Sequence, residues 1–71
     1  SPQYASICNE LASRIASLGK SNPEIKQKIL AMDDAWDLFR IPGFQCGDLG
    51  PSMAQAYGAL RAAQATLKTQ D

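Results

Sequence analysis

The chain has 71 residues, with seven Lys and Arg, seven Asp and Glu, and no histidine, so its formal net charge at pH 7 is zero. This length predicts a single domain, 1–71, and the apolar spacing described below predicts that it is helical. The balanced charge argues against a nucleic-acid binder, which usually carries a basic excess. No apolar run approaches the roughly 18–20 residues of a membrane-spanning helix. Without histidine there is no His-based catalytic triad and no His-ligated metal.

The first predicted element is a helix over about residues 2–18. Its apolar residues are spaced four, three, four and three apart, which is typical of a helix and not of a strand. They are Tyr4, Cys8, Leu11, Ile15 and Leu18. Pro2 suits the first helical position. We expect Gly19 to end the helix, because glycine adopts the left-handed conformation common after a helix C-terminus.

The second predicted element is a helix over about residues 23–39. Asn22-Pro23-Glu24 is a strong start signal, with a capping side chain, a proline at the first position and an acid near the positive end of the helix dipole. The apolar spacing repeats that of the first helix. Its members are Ile25, Ile29, Met32, Trp36 and Phe39.

The third predicted element is a helix over about residues 51–68, which begins at Pro51. The same period runs through Met53, Ala56, Tyr57, Leu60, Ala63 and Leu67. Gly58 weakens a helix by about 1 kcal/mol relative to alanine. The sequence leaves open whether Gly58 is exposed or marks a close packing contact.

The connections predict how these helices are arranged. Lys20-Ser21 is so short that helices one and two must run antiparallel. The second connection is longer, and it returns helix three parallel to helix one. The predicted fold is therefore all-α, an up-down-up three-helix bundle, with Trp36 and Tyr57 packed in its core.

The core of such a bundle is small, because alanine buries little area, and domains of this size usually need a covalent or bound staple. We predict a disulfide between Cys8 of helix one and Cys46 of the second connection. It would stabilise the fold by about 4 kcal/mol in the chain-entropy model. A disulfide places the protein in an oxidising compartment, so we expect it to be secreted or periplasmic. The alternative is a cytoplasmic protein with two reduced thiols.

The start at Ser1, with no initiator Met, fits a chain whose leader has been removed. An artificial boundary fits this start equally well.

Two surfaces are candidates for binding a protein partner. Three carboxylates fall in the last turns of the predicted second helix, where the helix dipole favours cations, and such local rule-breaking often marks function. The connection that follows carries apolar side chains among glycines and prolines. The candidate residues are Asp33, Asp34, Asp37, Arg40, Ile41, Phe44 and Leu49. The alternatives are a solvated acidic face and a lid over the open end of the core.

The third helix offers a second interpretation. It carries alanine on more than one face, and exposed alanine lets another helix approach closely. This predicts a homo-oligomer that assembles through Ala54, Ala59, Ala62 and Ala65. The alternative is a plain surface helix rich in strong helix formers.

No motif in the sequence indicates an enzyme, a cofactor or a metal site, since it lacks a Gly-rich phosphate loop and a nucleophile beside a base. The preferred hypothesis is a small exported domain that binds a protein partner. Inhibitor-, immunity-, chaperone- and secretion-accessory-like roles all fit. The alternative is a structural subunit that self-associates.

Overall fold

A computed structural model describes the backbone of residues 2–41 and 53–70 and the side chains of residues 10–41 and 53–70. In these ranges the chain forms α1 (Pro2–Ser21), α2 (Pro23–Leu30), a 3-10 helix (Ala35–Arg40) and α3 (Met53–Lys68). The described residues form no strand, which confirms the all-α class for them. The predicted count of three helices is not confirmed, because the expected second helix is divided.

The start of α2 is confirmed as the sequence predicts. Asn22 has extended backbone angles, φ −146° and ψ 110°, and Pro23 follows as the first helical residue. The Oδ1 atom of Asn22 accepts hydrogen bonds from the backbone N–H groups of Glu24 at 2.9 Å and Ile25 at 3.2 Å. These are donors that the first helical turn leaves without backbone partners. A single residue therefore separates α1 from α2.

The expected helix end at Gly19 is wrong. α1 continues to Ser21, whose hydroxyl donates to the carbonyl of Leu18 at 3.1 Å. Gly19 is instead buried where α1 meets α3, and a Cβ atom there would lie 2.7 Å from Cδ1 of Leu67. The glycine therefore permits a close approach between the C-terminal parts of α1 and α3, which form the most extensive helix pair.

The expected helix over 23–39 is wrong beyond Leu30. In a continuous helix the N–H of Trp36 would donate to the carbonyl of Met32, four residues earlier. Here that N–H donates to Oδ1 of Asp34 at 2.9 Å, and Asp34 caps the 3-10 helix. Asp competes for backbone donors in this way, and so favours helix starts over helix interiors.

The carbonyl groups at the break are held by a side chain of α3. Gln64 is only 3% exposed, and its Nε2 atom donates to the carbonyl oxygens of Ile29 and Met32, both at 2.9 Å. Its Oε1 atom accepts from Nη1 of Arg61 at 2.8 Å. Reversing the amide would point an oxygen at two carbonyl oxygens, so these partners fix its orientation. The side-chain bonds of Gln64 and Asp34 thus replace backbone bonds that a continuous helix would make here.

The contacts between α2 and α3 give their relative direction. Nζ of Lys26 donates to the carbonyl of Gln70 at 3.2 Å, whereas Ile29, later in α2, is bonded by Gln64, earlier in α3. The two helices therefore run antiparallel.

One apolar cluster fills the space between the helices. Eight of the residues expected on the core faces of the helices belong to it, and Leu18, Ile25 and Met53 are partly buried against it, but Trp36, Phe39 and Tyr57 belong to neither group. Its members are Leu11, Ile15, Ala16, Ile29, Met32, Ala35, Leu38, Ile41, Ala56, Ala59, Leu60, Ala63 and Leu67. The predicted disulfide lies outside the described residues, since neither Cys46 nor the side chain of Cys8 is among them.

The two helical glycines should respond oppositely to alanine. A Cβ atom at Gly58 meets nothing within 4 Å, so G58A should raise the free energy of unfolding by about 1 kcal/mol through helix propensity. A Cβ atom at Gly19 would press on Leu67, which is fully buried. Overpacking costs about 1–3 kcal/mol, so G19A should have a net destabilising effect. Urea unfolding of both variants checks this, and shifts of the same sign would contradict the packing described.

Removing the Gln64 amide should weaken the fold. Q64M keeps the length of the side chain but removes the amide donor from two carbonyls, of which that of Ile29 keeps the N–H of Met32 at 3.1 Å. This loss should cost about 1–3 kcal/mol in free energy of unfolding. Gln27 is exposed on α2, and Q27M is the matched control, expected within about 0.5 kcal/mol of the wild type. Equal stability of the two variants would show that Gln64 does not hold the break.

Candidate functional site

Asp33, Asp34 and Asp37 do not lie at the end of a helix, as the sequence predicted, but at and after the break that follows α2. Asp33 and Asp37 do not share a helix, because α2 ends at Leu30 and the 3-10 helix begins at Ala35. Asp34 is the N-cap of the 3-10 helix and Asp37 lies in its first turn, where negative charge is favoured. The prediction that these three carboxylates lie in the last turns of a helix is therefore wrong. Asp33 and Asp34 are nevertheless exposed, and Asp37 is half-buried.

Trp36 lies on the surface, contrary to the expectation that it packs in the core. Its side chain is 66% exposed, and its indole lies 5.7 Å from the ring of Phe39 at an angle of 48°. The 3-10 helix turns Ala35 and Leu38 inward instead, at 3% and 0% exposure. An indole of this exposure is the largest apolar group that the described surface presents.

Tyr57 is the second exposed aromatic side chain, at 41%, and it too was expected in the core. Its hydroxyl accepts a hydrogen bond from Nε of Arg61 at 2.9 Å, and the guanidinium carbon lies 4.9 Å from the ring centroid. Arg61 also donates to Gln64. Gln64 therefore orients Arg61, and Arg61 in turn orients the ring of Tyr57.

Trp36 and Tyr57 border a shallow groove between the 3-10 helix and the start of α3. Its volume is about 310 Å³, and we call it the Trp36 groove. It is lined by Asp34, Ala35, Trp36, Met53, Ala54 and Tyr57. Asp34 is the single charged residue in that lining.

A second groove of about 370 Å³ lies on the other side of the 3-10 helix. It is lined by Lys28, Ala31, Met32, Asp37, Arg40 and Ile41. Two cations and one carboxylate give this lining mixed charge. Arg40 is exposed as a partner-binding residue requires, but Ile41 is only 4% exposed and belongs to the core, which corrects its place in the expected patch. Phe44 and Leu49 lie outside the described residues.

The alanine face of α3 is partly as expected. Ala54, Ala62 and Ala65 are exposed, whereas Ala59 is 1% exposed and packs in the core. Ala59 is therefore wrong as a residue of an oligomer surface. Gly58 lies between Ala54 and Ala62 in the sequence and borders open space.

Two further properties concern only the part of the chain that is described. Within it, no helix combines the length and the apolar character that a bilayer crossing needs. Within it also, no three His, Cys, Asp or Glu side chains converge on a common point where a metal ion would fit.

Sequence reasoning missed Gln64 and the exposure of Trp36. Gln64 follows Leu60 by four residues and precedes Leu67 by three, so it lies on the apolar face of its helix. A polar residue at such a position predicts a buried hydrogen-bond partner on a neighbouring element. That signal was present, but its partners are 32 and 35 residues away.

Comparisons with protein-family models, with curated proteins and with solved structures find no match for this chain.

Truncation should separate the roles of two residues in the 3-10 helix. W36A should lower the free energy of unfolding by less than about 1 kcal/mol, because most of the indole is already in water. L38A removes a fully buried side chain and should cost about 2–5 kcal/mol. Thermal or urea unfolding measures both, and a larger cost for W36A than for L38A would contradict the orientation of this helix.

Proposed function

We propose that this chain is a small exported domain that binds a protein partner through the Trp36 groove and catalyses no reaction. The observation that carries the proposal is the 66% exposure of Trp36 beside the exposed ring of Tyr57. Binding hot spots are enriched in Trp, Tyr and Arg, and they lie where a partner can cover them. Inhibitor-, immunity-, chaperone- and secretion-accessory-like roles fit such a surface.

The rigidity of the groove supports this assignment. Tyr57 is bonded through Arg61 to Gln64, and Asp34 caps the helix that carries Trp36. Side chains that are already ordered lose little entropy on binding, so a preorganised aromatic surface gains affinity.

Export is the part of the proposal that depends on the cysteines. We propose that Cys8 and Cys46 form a disulfide that ties α1 to the connection before α3 in an up-down-up bundle. The expected result is a gain of about two daltons in intact mass when the native protein is reduced, one hydrogen for each thiol formed. An unchanged mass would remove the basis for a secreted or periplasmic location and would favour a cytoplasmic protein.

Site-specific crosslinking tests the binding function. The photoreactive residue p-benzoylphenylalanine replaces Ala54, an exposed residue of the groove lining, in one variant and the exposed Glu10 of α1 in a control variant. Extract from the native source should give a protein adduct from position 54 and none from position 10. Excess wild-type chain should suppress the adduct, whereas excess W36A chain should not. Equal adducts from both positions, or equal suppression by both chains, would contradict binding through Trp36.

The alternative function is a structural subunit that self-associates. It is favoured by the exposure of Ala54, Ala62 and Ala65 beside the open space at Gly58, which would admit a second helix closely. Solution mass measured against concentration decides between the two functions. A monomer at all concentrations supports partner binding, and a defined oligomer supports assembly.

A further inference from the structure

We infer that the segment which the Trp36 groove binds is basic, with a Lys or Arg side chain of the partner lying across the indole and reaching Asp34. This inference rests on the proposed function and adds the chemistry of the partner.

The charge of the groove is the first argument. Among its lining residues Asp34 alone is charged, and the neighbouring Asp33 is exposed as well. The guanidinium of Arg61 lies against the ring of Tyr57 but is not part of the lining, and its hydrogen bonds go to Tyr57 and Gln64. The lining of the second groove carries charges of both signs, from Lys28, Arg40 and Asp37. The two faces of one short helix thus differ in charge although the chain as a whole is neutral. Charge complementarity selects a cationic partner for the Trp36 groove.

The state of the Asp34 carboxylate is the second argument. Its Oδ1 atom accepts the N–H of Trp36 at 2.9 Å, and this bond fixes the direction of the carboxyl group. A carboxylate has two oxygens and about four acceptor positions, so it can cap the helix and still accept a bond from a cation. Because Asp34 and Trp36 line the same groove, a cation bound there can reach both residues.

The shape of a basic side chain is the third argument. Lys and Arg have an apolar stem and a charged head. In the Trp36 groove the stem would contact Met53 and Ala54, which line its apolar part. The head would lie over the indole, which is the aromatic ring that cations favour most. An acidic segment would instead approach two exposed carboxylates.

Peptide binding to the full chain tests this inference, with Trp36 as the reporter because it is the chain's one tryptophan. The probes are two peptides with the same leucine pattern, one carrying arginine and the other glutamate at every polar position. The arginine peptide should change Trp36 emission at lower concentration than the glutamate peptide. Its affinity should fall as salt rises from 0.05 to 0.5 M, since screening lengths shorten to a few ångström.

Charge-neutral variants supply the matched comparison. D33N/D34N removes two charges at the groove, and asparagine caps a helix as well as aspartate does. E10Q/E24Q removes two exposed charges outside the groove lining. The first variant should bind the arginine peptide about threefold to tenfold more weakly, from two exposed charge pairs, and the second should bind as the wild type does. Circular dichroism of both variants controls for folding.

Two outcomes would overturn the basic partner. One is equal binding of both peptides, and the other is equal affinity in D33N/D34N and E10Q/E24Q. If both peptides bind, and isothermal titration calorimetry, which needs no tryptophan, shows that W36A abolishes binding, the interaction function stands and only the partner chemistry falls. If adduct formation from position 54 in the crosslinking experiment also fails, the proposed function falls with it. Emission that changes with protein concentration alone would assign the groove to a second copy, whose Lys28 and Arg40 are exposed, and would overturn a foreign partner.

Discussion

Two carbonyl oxygens at the end of α2, those of Ile29 and Met32, receive hydrogen bonds from the side-chain amide of Gln64. A continuing helix would have satisfied them with its own backbone. The Gln64 amide takes the place of those backbone donors, although it belongs to α3, more than 30 residues later in the chain. Gln64 is 3% exposed, and a polar group without a hydrogen bond would be costly at such a position. The Asp34 carboxylate completes the exchange by taking the N–H of Trp36.

The surface that we assign to binding is a consequence of this exchange. Because the helix stops and restarts as a 3-10 helix, Ala35 and Leu38 enter the core and Trp36 faces water. An uninterrupted helix over 23–39 would have placed Trp36 on the same stripe as Ile29 and Met32, inside the bundle. Gln64 also orients Arg61, and Arg61 orients Tyr57. One buried amide therefore connects the break between α2 and the 3-10 helix with the wall of the Trp36 groove.

The parts of the fold that depend on neighbouring residues could be predicted, and the parts that depend on distant residues could not. The start of α2 follows from Asn22 and Pro23 alone, and the period of apolar residues is sufficient to place Leu11, Ile15 and Leu60 in the core. Gly19 looked like a helix end because its contact with Leu67 is not visible locally. At the site, Asp33, Asp34 and Arg40 are exposed and Asp37 is half-buried, and their part in binding stays a prediction. Trp36 was wrongly expected in the core, because the helix that its apolar spacing predicts ends where Gln64 of α3 bonds to the carbonyls of Ile29 and Met32.

The most direct measurement is an NMR experiment that detects scalar coupling across hydrogen bonds. The account predicts couplings from Nε2 of Gln64 to the carbonyl carbons of Ile29 and Met32, together with Cα shifts that leave the helical range between α2 and the 3-10 helix. A Gln64 amide in free exchange with water, with helical shifts that continue from Pro23 to Phe39, would contradict it. In that case Trp36 would face the core and the groove beside it would not exist.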